Sequence, residues 1–126
     1  MKLRKILIID DEFPVGYLIK INLEAEGYEA NLALSGEEAL EKARASPPDL
    51  ITLDVLMPEM DGFEVLRALK KDEALSSIPV LMISVINGIR KKRGIKMGAA
   101  DYLFKPIDFD NLLDRMRCVE MDKGPP

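Results

Sequence analysis

Lys5-Ile6-Leu7-Ile8-Ile9-Asp10-Asp11 is the stretch that decides the fold. After its lysine it is continuously apolar, rich in isoleucine, and it stops at two aspartates. Such a run is too short for a helix and suits a strand buried on both faces. The same pattern recurs along the chain. Leu50 to Leu53 runs into Asp54, Pro79 to Ile83 ends in Ser84, and Tyr102 to Phe104 is followed by Lys105-Pro106. Tyr28 to Ala33 mixes polar and apolar residues, as a sheet-edge strand would. Helical signals fill the gaps. Val15, Leu18, Ile19 and Leu23 recur at helical spacing between Pro14 and Glu26, with Gly27 as the stop. Ser35 and Asp61 each stand three residues before a glutamate, the spacing of a capping box. Residues Asn87 to Met97 read as a helix closed by Gly98, and Asp108 caps a last helix ending near Met121. Strand and helix thus alternate five times. This predicts an α/β domain with right-handed crossovers and a parallel sheet covered on both faces.

One domain accommodates the 126 residues. Its composition, 48% hydrophobic and 32% charged, is that of a globular chain and not a disordered one. The longest apolar stretch, Ile78 to Ile86, is broken by a proline and a serine and is too short to span a bilayer. Met1 to Lys5 is followed by only four apolar residues, which is no secretory pattern, so the expected compartment is a reducing cytoplasm. A single cysteine excludes an internal disulfide and a cysteine zinc site, and the absence of histidine excludes triads and shuttles that need one. Cys118 is expected to be a small core residue. The net charge of −4 suits neither nucleic acid nor an anionic membrane, but it is uneven: Arg90, Lys91, Lys92, Arg93 and Lys96 crowd into seven residues. That cluster reads as a solvated helix face or as a patch that steers an acidic partner.

In a parallel sheet, ligands bind beyond the carboxyl ends of the strands. Asp10, Asp11, Asp54, Ser84 and Lys105 all stand at such ends, with Glu12 next to the first pair. Carboxylates gathered in one pocket repel each other unless protons or a cation intervene. With oxygen ligands alone the natural cation is Mg2+, with Mn2+ as a substitute. Mg2+ takes one or two carboxylates, which leaves another free to act as a nucleophile. Beside a lysine and a hydroxyl, such a carboxylate can receive a phosphoryl group as an acyl phosphate.

Four segments in order resemble the receiver domain of two-component response regulators, including the single-domain chemotaxis regulators. They are Ile6 to Glu12, Leu53 to Gly62, Ile83-Ser84 and Gly98 to Pro106, and the likeness extends from about residue 4 to 120. The resemblance implies a single doubly wound (βα)5 flavodoxin-like domain with a parallel five-stranded sheet in the order 2-1-3-4-5. It implies a phosphorylation-dependent signalling switch and not a conventional enzyme. Asp54 would be the phosphoacceptor, Asp11 a direct metal ligand, Asp10 a ligand through water, and the Leu56 backbone carbonyl a further ligand. Ser84 would be the switch hydroxyl, or else cap the next helix. Lys105 would pair with phosphoryl oxygens, its bond to Pro106 being usually cis in the family. Tyr102 stands at the aromatic switch position, where a static half-buried ring is the other reading. The partners implied are a histidine kinase or phosphotransfer protein, and a second copy or an output domain at the face of the fourth helix, fifth strand and fifth helix. No nucleic acid or membrane contact is expected. Residues 1–122 would form the receiver and 123–126 a tail or the start of a linker.

The sequence departs from the family pattern at three positions that control access to the acceptor. Val85 follows Ser84 where a small residue is usual, which should narrow the path to Asp54. Leu56 and Ile86 stand where the family tunes dephosphorylation, and neither can position water by hydrogen bonding. Slow self-dephosphorylation is therefore expected. The Ser84–Lys105 span is one residue shorter than usual and contains Gly94, so the fourth helix should be short, late-starting or mobile. Two other functions compete with this reading: a phosphate-independent protein-binding module, supported by Val85, and a small-substrate magnesium phosphatase. The latter resembles haloacid-dehalogenase-type enzymes only weakly, because they carry an aspartate where Leu56 stands.

Overall fold

The computed structural model describes residues 2–57, 60–85 and 88–122. Its elements run β1 (Lys5–Ile9), α1 (Phe13–Ala25), β2 (Glu29–Ala33), α2 (Gly36–Ala45), β3 (Leu50–Asp54), α3 (Gly62–Lys71), β4 (Val80–Ser84), α4 (Gly88–Lys96), β5 (Asp101–Phe104) and α5 (Phe109–Asp122). All pairings are parallel and the order is β2-β1-β3-β4-β5, as the resemblance implied. Ile9 aligns with Leu53, Leu53 with Met82, and Met82 with Tyr102.

The strict alternation of side chains along β1, β3 and β4 builds two cores. Ile6, Ile8, Leu50, Leu81 and Ile83 face α1 and α5, which contribute Ile19, Leu23, Leu112, Met116 and Val119. Leu7, Ile9, Ile51, Leu53 and Met82 face α2 and α3, which contribute Ala39, Ala43, Phe63, Val65, Leu66 and Leu69. Both faces of the central strands are therefore dry, and their continuous apolar runs follow from that.

The helix boundaries have local causes. Asp61 and Glu64 form the expected reciprocal capping box, with the Glu64 N–H donating to Asp61 Oδ1 at 3.0 Å. The Ser35 pair closes differently. Ser35 Oγ accepts from the Glu38 N–H, but Glu38 Oε1 reaches past the cap to the Leu34 N–H at 2.7 Å. Gly27, at φ +95°, ends α1, and Gly98, at φ +106°, follows α4. Both occupy the left-handed region that side chains disfavour.

Several sequence expectations need correction. Cys118 is exposed, because the buried stripe of α5 runs through Leu112, Met116 and Val119 and position 118 falls beside it. Leu18 is also exposed, along with Phe13, Tyr17 and Ile21, so α1 has an apolar outer flank as well as a buried face. The described part of α4 begins at Gly88, and Asn87, where the helix was expected to start, lies outside the described residues. Gly94 is the sole buried residue of α4.

Candidate functional site

The site is built by strand ends. Asp54 is the last residue of β3 and Ser84 the last of β4, while Asp10 and Lys105 directly follow β1 and β5. Because the strands are parallel and in register, these side chains rise at one edge of the sheet. Lys105 Nζ stands 3.4 Å from Asp54 Oδ1, 3.8 Å from Glu12 Oε1 and 3.9 Å from Asp10 Oδ2. The Lys105 backbone N–H donates to the Ser84 carbonyl, and the Lys105-Pro106 peptide is cis. One carboxylate oxygen from each of Asp10, Asp11, Glu12 and Asp54 lies within 4.8 Å of the others.

Burial sharpens the electrostatics. Asp54 is only 3% exposed, and its carboxyl is pushed up from 3.8 to about 6. Desolvation is the main cause and neighbouring Asp10 adds to it, while Lys105 and the Leu56 N–H pull the other way. Asp10 is raised as well, again chiefly by burial, although it accepts the Glu12 N–H at 2.9 Å. That bond belongs to a turn: the N-cap of α1 is Glu12, which makes no side-chain cap. Helix capping therefore does not account for the aspartate pair.

Three site oxygens are buried without a partner: Asp11 Oδ1, Asp54 Oδ2 and Ser84 Oγ. Buried polar atoms are rarely left in this condition without a reason. Two orphaned carboxylate oxygens in the all-oxygen cluster of Asp10, Asp11, Glu12 and Asp54 fit a hard divalent cation. An orphaned hydroxyl at the neighbouring strand end has donor capacity to spare. Among the described residues, the Ser84 hydroxyl caps no helix.

The remaining expected residues lie around this centre. Leu56 is 50% exposed and Val85 49% exposed, each just past the end of its strand. Ile86 lies outside the described residues. Tyr102 is buried, its ring tilted against Phe104 with centroids 5.7 Å apart. Its hydroxyl makes no hydrogen bond of normal geometry but faces Ser84; burial raises it above its ordinary value, opposed by the approach of Ser84 and by Arg90. The ring is thus buried more deeply than the half-buried position expected.

Two residues gain importance that sequence reasoning did not assign. Glu12 was noted only as a neighbour of the aspartate pair, yet it joins both the carboxylate cluster and the Lys105 contacts. Gly62 stands in the sequence only as part of a cap and as the end of a family-like segment. A Cβ there would stand 2.6 Å from the Asp54 carbonyl oxygen and 2.7 Å from the Val55 Cα, and its N–H donates to the Val55 carbonyl at 2.8 Å. The start of α3 is thereby pressed against the backbone that carries Asp54. A glycine directly after a good N-cap residue was the available signal.

Comparisons with known proteins agree with this geometry. The family model described as the response regulator receiver domain matches residues 6–117. The DNA-binding dual master transcriptional regulator RpaA of Synechocystis sp. is 42% identical over 116 residues, covering 91% of this chain and 48% of that protein. The response regulator PleD of Caulobacter vibrioides is 43% identical over 116 residues, covering 91% of this chain and 26% of its own length. The chain therefore spans about half or less of these relatives. Among solved structures, the Vibrio cholerae chemotaxis protein CheY4 superposes with a TM-score of 0.88 at 33% identity, covering 94% of this chain and 99% of that one. The strand order, the acidic edge facing a lysine and the family match converge on one conclusion: this chain belongs to the response regulator receiver domain family.

Proposed function

We propose that this receiver is a phosphorylation-dependent signalling switch whose phosphoacceptor is Asp54. The observation that carries this reading is the state of that side chain. Oδ1 faces Lys105 at 3.4 Å while Oδ2 is buried and unpartnered, at the point where four carboxylates meet. One oxygen is neutralised and the other keeps its lone pairs. A carboxyl titrating near 6 is more basic than a free aspartate, yet mostly ionised at pH 7, and both properties favour attack on phosphorus.

The donor is a phosphohistidine on a histidine kinase or phosphotransfer protein, since this chain has no histidine. One Asp54 carboxylate oxygen forms a bond to phosphorus as the phosphorus–nitrogen bond breaks, the other remaining available to the cation, and the donor imidazole leaves with that electron pair. Lys105 neutralises charge on the transferred oxygens. The Ser84 hydroxyl, idle before transfer, donates to one of them. Asp10, Asp11, Asp54 and the Leu56 carbonyl would hold Mg2+ or Mn2+, with Asp10 acting through water; the ion would supply Lewis-acid stabilisation of phosphoryl oxygens. Tyr102, already facing inward beside Ser84, would follow its movement. The added charge, about −2, then shifts the α4–β5–α5 face toward a state that a second copy or an output domain recognises.

Leu56 offers no side-chain hydrogen bond to a hydrolytic water, and Ile86 and Val85 are equally apolar. The acyl phosphate should therefore be long-lived. Residues 1–122 are taken as the receiver unit; 123–126, read as a tail or linker, lie outside the described residues. No helix among the described residues is long and apolar enough to cross a membrane.

Turnover distinguishes this function from its alternatives. With acetyl phosphate and Mg2+ the protein should take up one phosphoryl group and release it over minutes or longer, without sustained hydrolysis of p-nitrophenyl phosphate. Decay within seconds would contradict the slow-release reading. Sustained ester hydrolysis would mark a phosphatase, and no uptake would favour a phosphate-independent binding module.

A further inference from the structure

Helix α4 is joined to the domain in an unusual way. Its one buried residue is Gly94, where a Cβ would meet Met82 Sδ at 2.8 Å and Tyr102 Cδ2 at 3.4 Å. Two of its cations are also laid over aromatic faces of the body. The Arg93 guanidinium carbon sits 4.2 Å from the centroid of Phe63, and Lys91 Nζ sits 5.8 Å from that of Phe104. Arg93 is thus more than part of a solvated basic face: it roofs a ring that is itself almost fully buried.

Phe63 is the second residue of α3. It directly follows Gly62, whose backbone is pressed against the Asp54 carbonyl and bonded to the Val55 carbonyl. The contacts therefore form a short chain from Asp54 through Gly62 and Phe63 to Arg93 on α4. It lies on the β3–α3 side of the site, whereas Ser84 and Tyr102 occupy the β4–β5 side. We infer that Arg93 is a positioning residue for the phosphoacceptor, acting through Phe63 to hold the start of α3 against Asp54. The same stack makes the phosphoacceptor loop and α4 respond to each other. The inference concerns the reaction of the site proposed above and rests on that reading.

Guanidinium–aromatic attraction needs both the planar cation and the ring face, so the two partners should fail together. The test uses the unphosphorylated protein first. In Arg93→Gln, backbone amides of α4 and of residues 60–66 should exchange with deuterium about two- to fivefold faster than in wild type. Phe63→Leu should do the same, the double variant should add little, and Phe63→Tyr should behave as wild type. Lys92→Gln removes the same charge from the same helix and controls for electrostatics alone. Faster exchange confined to α4, additive effects in the double variant, or an equal effect of Lys92→Gln would overturn the inference.

The phosphorylation arm reads the rate of phosphoryl uptake from acetyl phosphate, which Arg93→Gln should slow by about two- to fivefold and Arg93→Lys should partly restore. An unchanged rate in a wild type that does take up phosphate would overturn the positioning role. Absence of uptake in wild type would instead defeat the phosphoacceptor reading, and with it the assigned role of Arg93, while coupled exchange would still show the physical link.

Discussion

The sheet edge that carries Asp54 and the α4 surface beside it are built on opposite terms. The edge stands on β1, β3 and β4, whose residues are almost all buried on both faces, and its reactive groups are fixed by strand register. Helix α4 keeps one glycine in the core and exposes nearly everything else, Ile89 to 82%. Under the proposed function, the difference would let one small domain combine a rigid reaction centre with an adjustable surface. Chemistry that depends on distances of a few ångströms needs the packed sheet. A surface that must change state needs a helix whose attachments are few and individually weak.

The sharpest way to break this contrast is to compare truncations. Leu53→Ala, in the fully buried strand that leads to Asp54, should destabilise the protein by about 2–5 kcal/mol. Ile89→Ala on α4 should change stability by less than about 0.5 kcal/mol. Chemical denaturation measures both, and similar values would show that α4 is as firmly packed as the sheet.

Adding a methyl group gives the next comparison. Gly62→Ala drives a Cβ into the Asp54 backbone, which cannot give way, so a loss of about 2–3 kcal/mol is expected along with impaired phosphoryl uptake. Gly94→Ala meets the flexible sulfur of Met82, and alanine improves helix propensity by about 1 kcal/mol. Its net effect on stability should lie within about 1 kcal/mol. A Gly62→Ala protein with wild-type stability and uptake would remove the close approach from the account.

The electrostatic cost of the site should show in the pH dependence of the metal-free protein. Asp54 titrates near 6 when folded and near 3.8 as an ordinary aspartate, so between these values the folded state holds a proton that the unfolded chain has released. Its relative stabilisation is complete below the lower value and is lost as pH rises through the upper one. Asp54→Asn should therefore gain on wild type across this window, by on the order of 1–2 kcal/mol at pH 7 after allowance for screening. A constant difference between the two proteins from pH 4 to 7 would contradict the burial argument.

The smallest effect belongs to Thr52, whose buried hydroxyl has no partner in the middle of β3. Thr52→Val keeps the shape and removes the orphaned oxygen, so a gain of about 1 kcal/mol is expected from thermal or chemical denaturation. A loss would mean that the hydroxyl is satisfied in solution, for example by an internal water.

The same contrast explains what could be read from the sequence. Strands buried on both faces appear as continuous apolar runs, so Ile6 to Ile9 and Leu50 to Leu53 were visible at once, and the residues ending those strands had to share one edge. The convergence of Asp10, Asp54, Ser84 and Lys105 follows from that reasoning, while the strand order came from family resemblance. Relations across the fold left weaker marks. The Gly62 approach to Asp54 and the Arg93–Phe63 stack depend on how α3 and α4 lie against β3, which spacing alone does not specify. Cys118 lies outside the core expected for it because a helix stripe turns by 100° per residue, and a one-position error moves a side chain from core to solvent.

The most direct test of the central claim is intact mass after incubation with acetyl phosphate and Mg2+, on wild type and Asp54→Ala. The account predicts a magnesium-dependent gain of one phosphoryl group in wild type and none in the variant. Equal gain in both proteins would place the chemistry elsewhere, and no gain in either would contradict the phosphoacceptor role of Asp54.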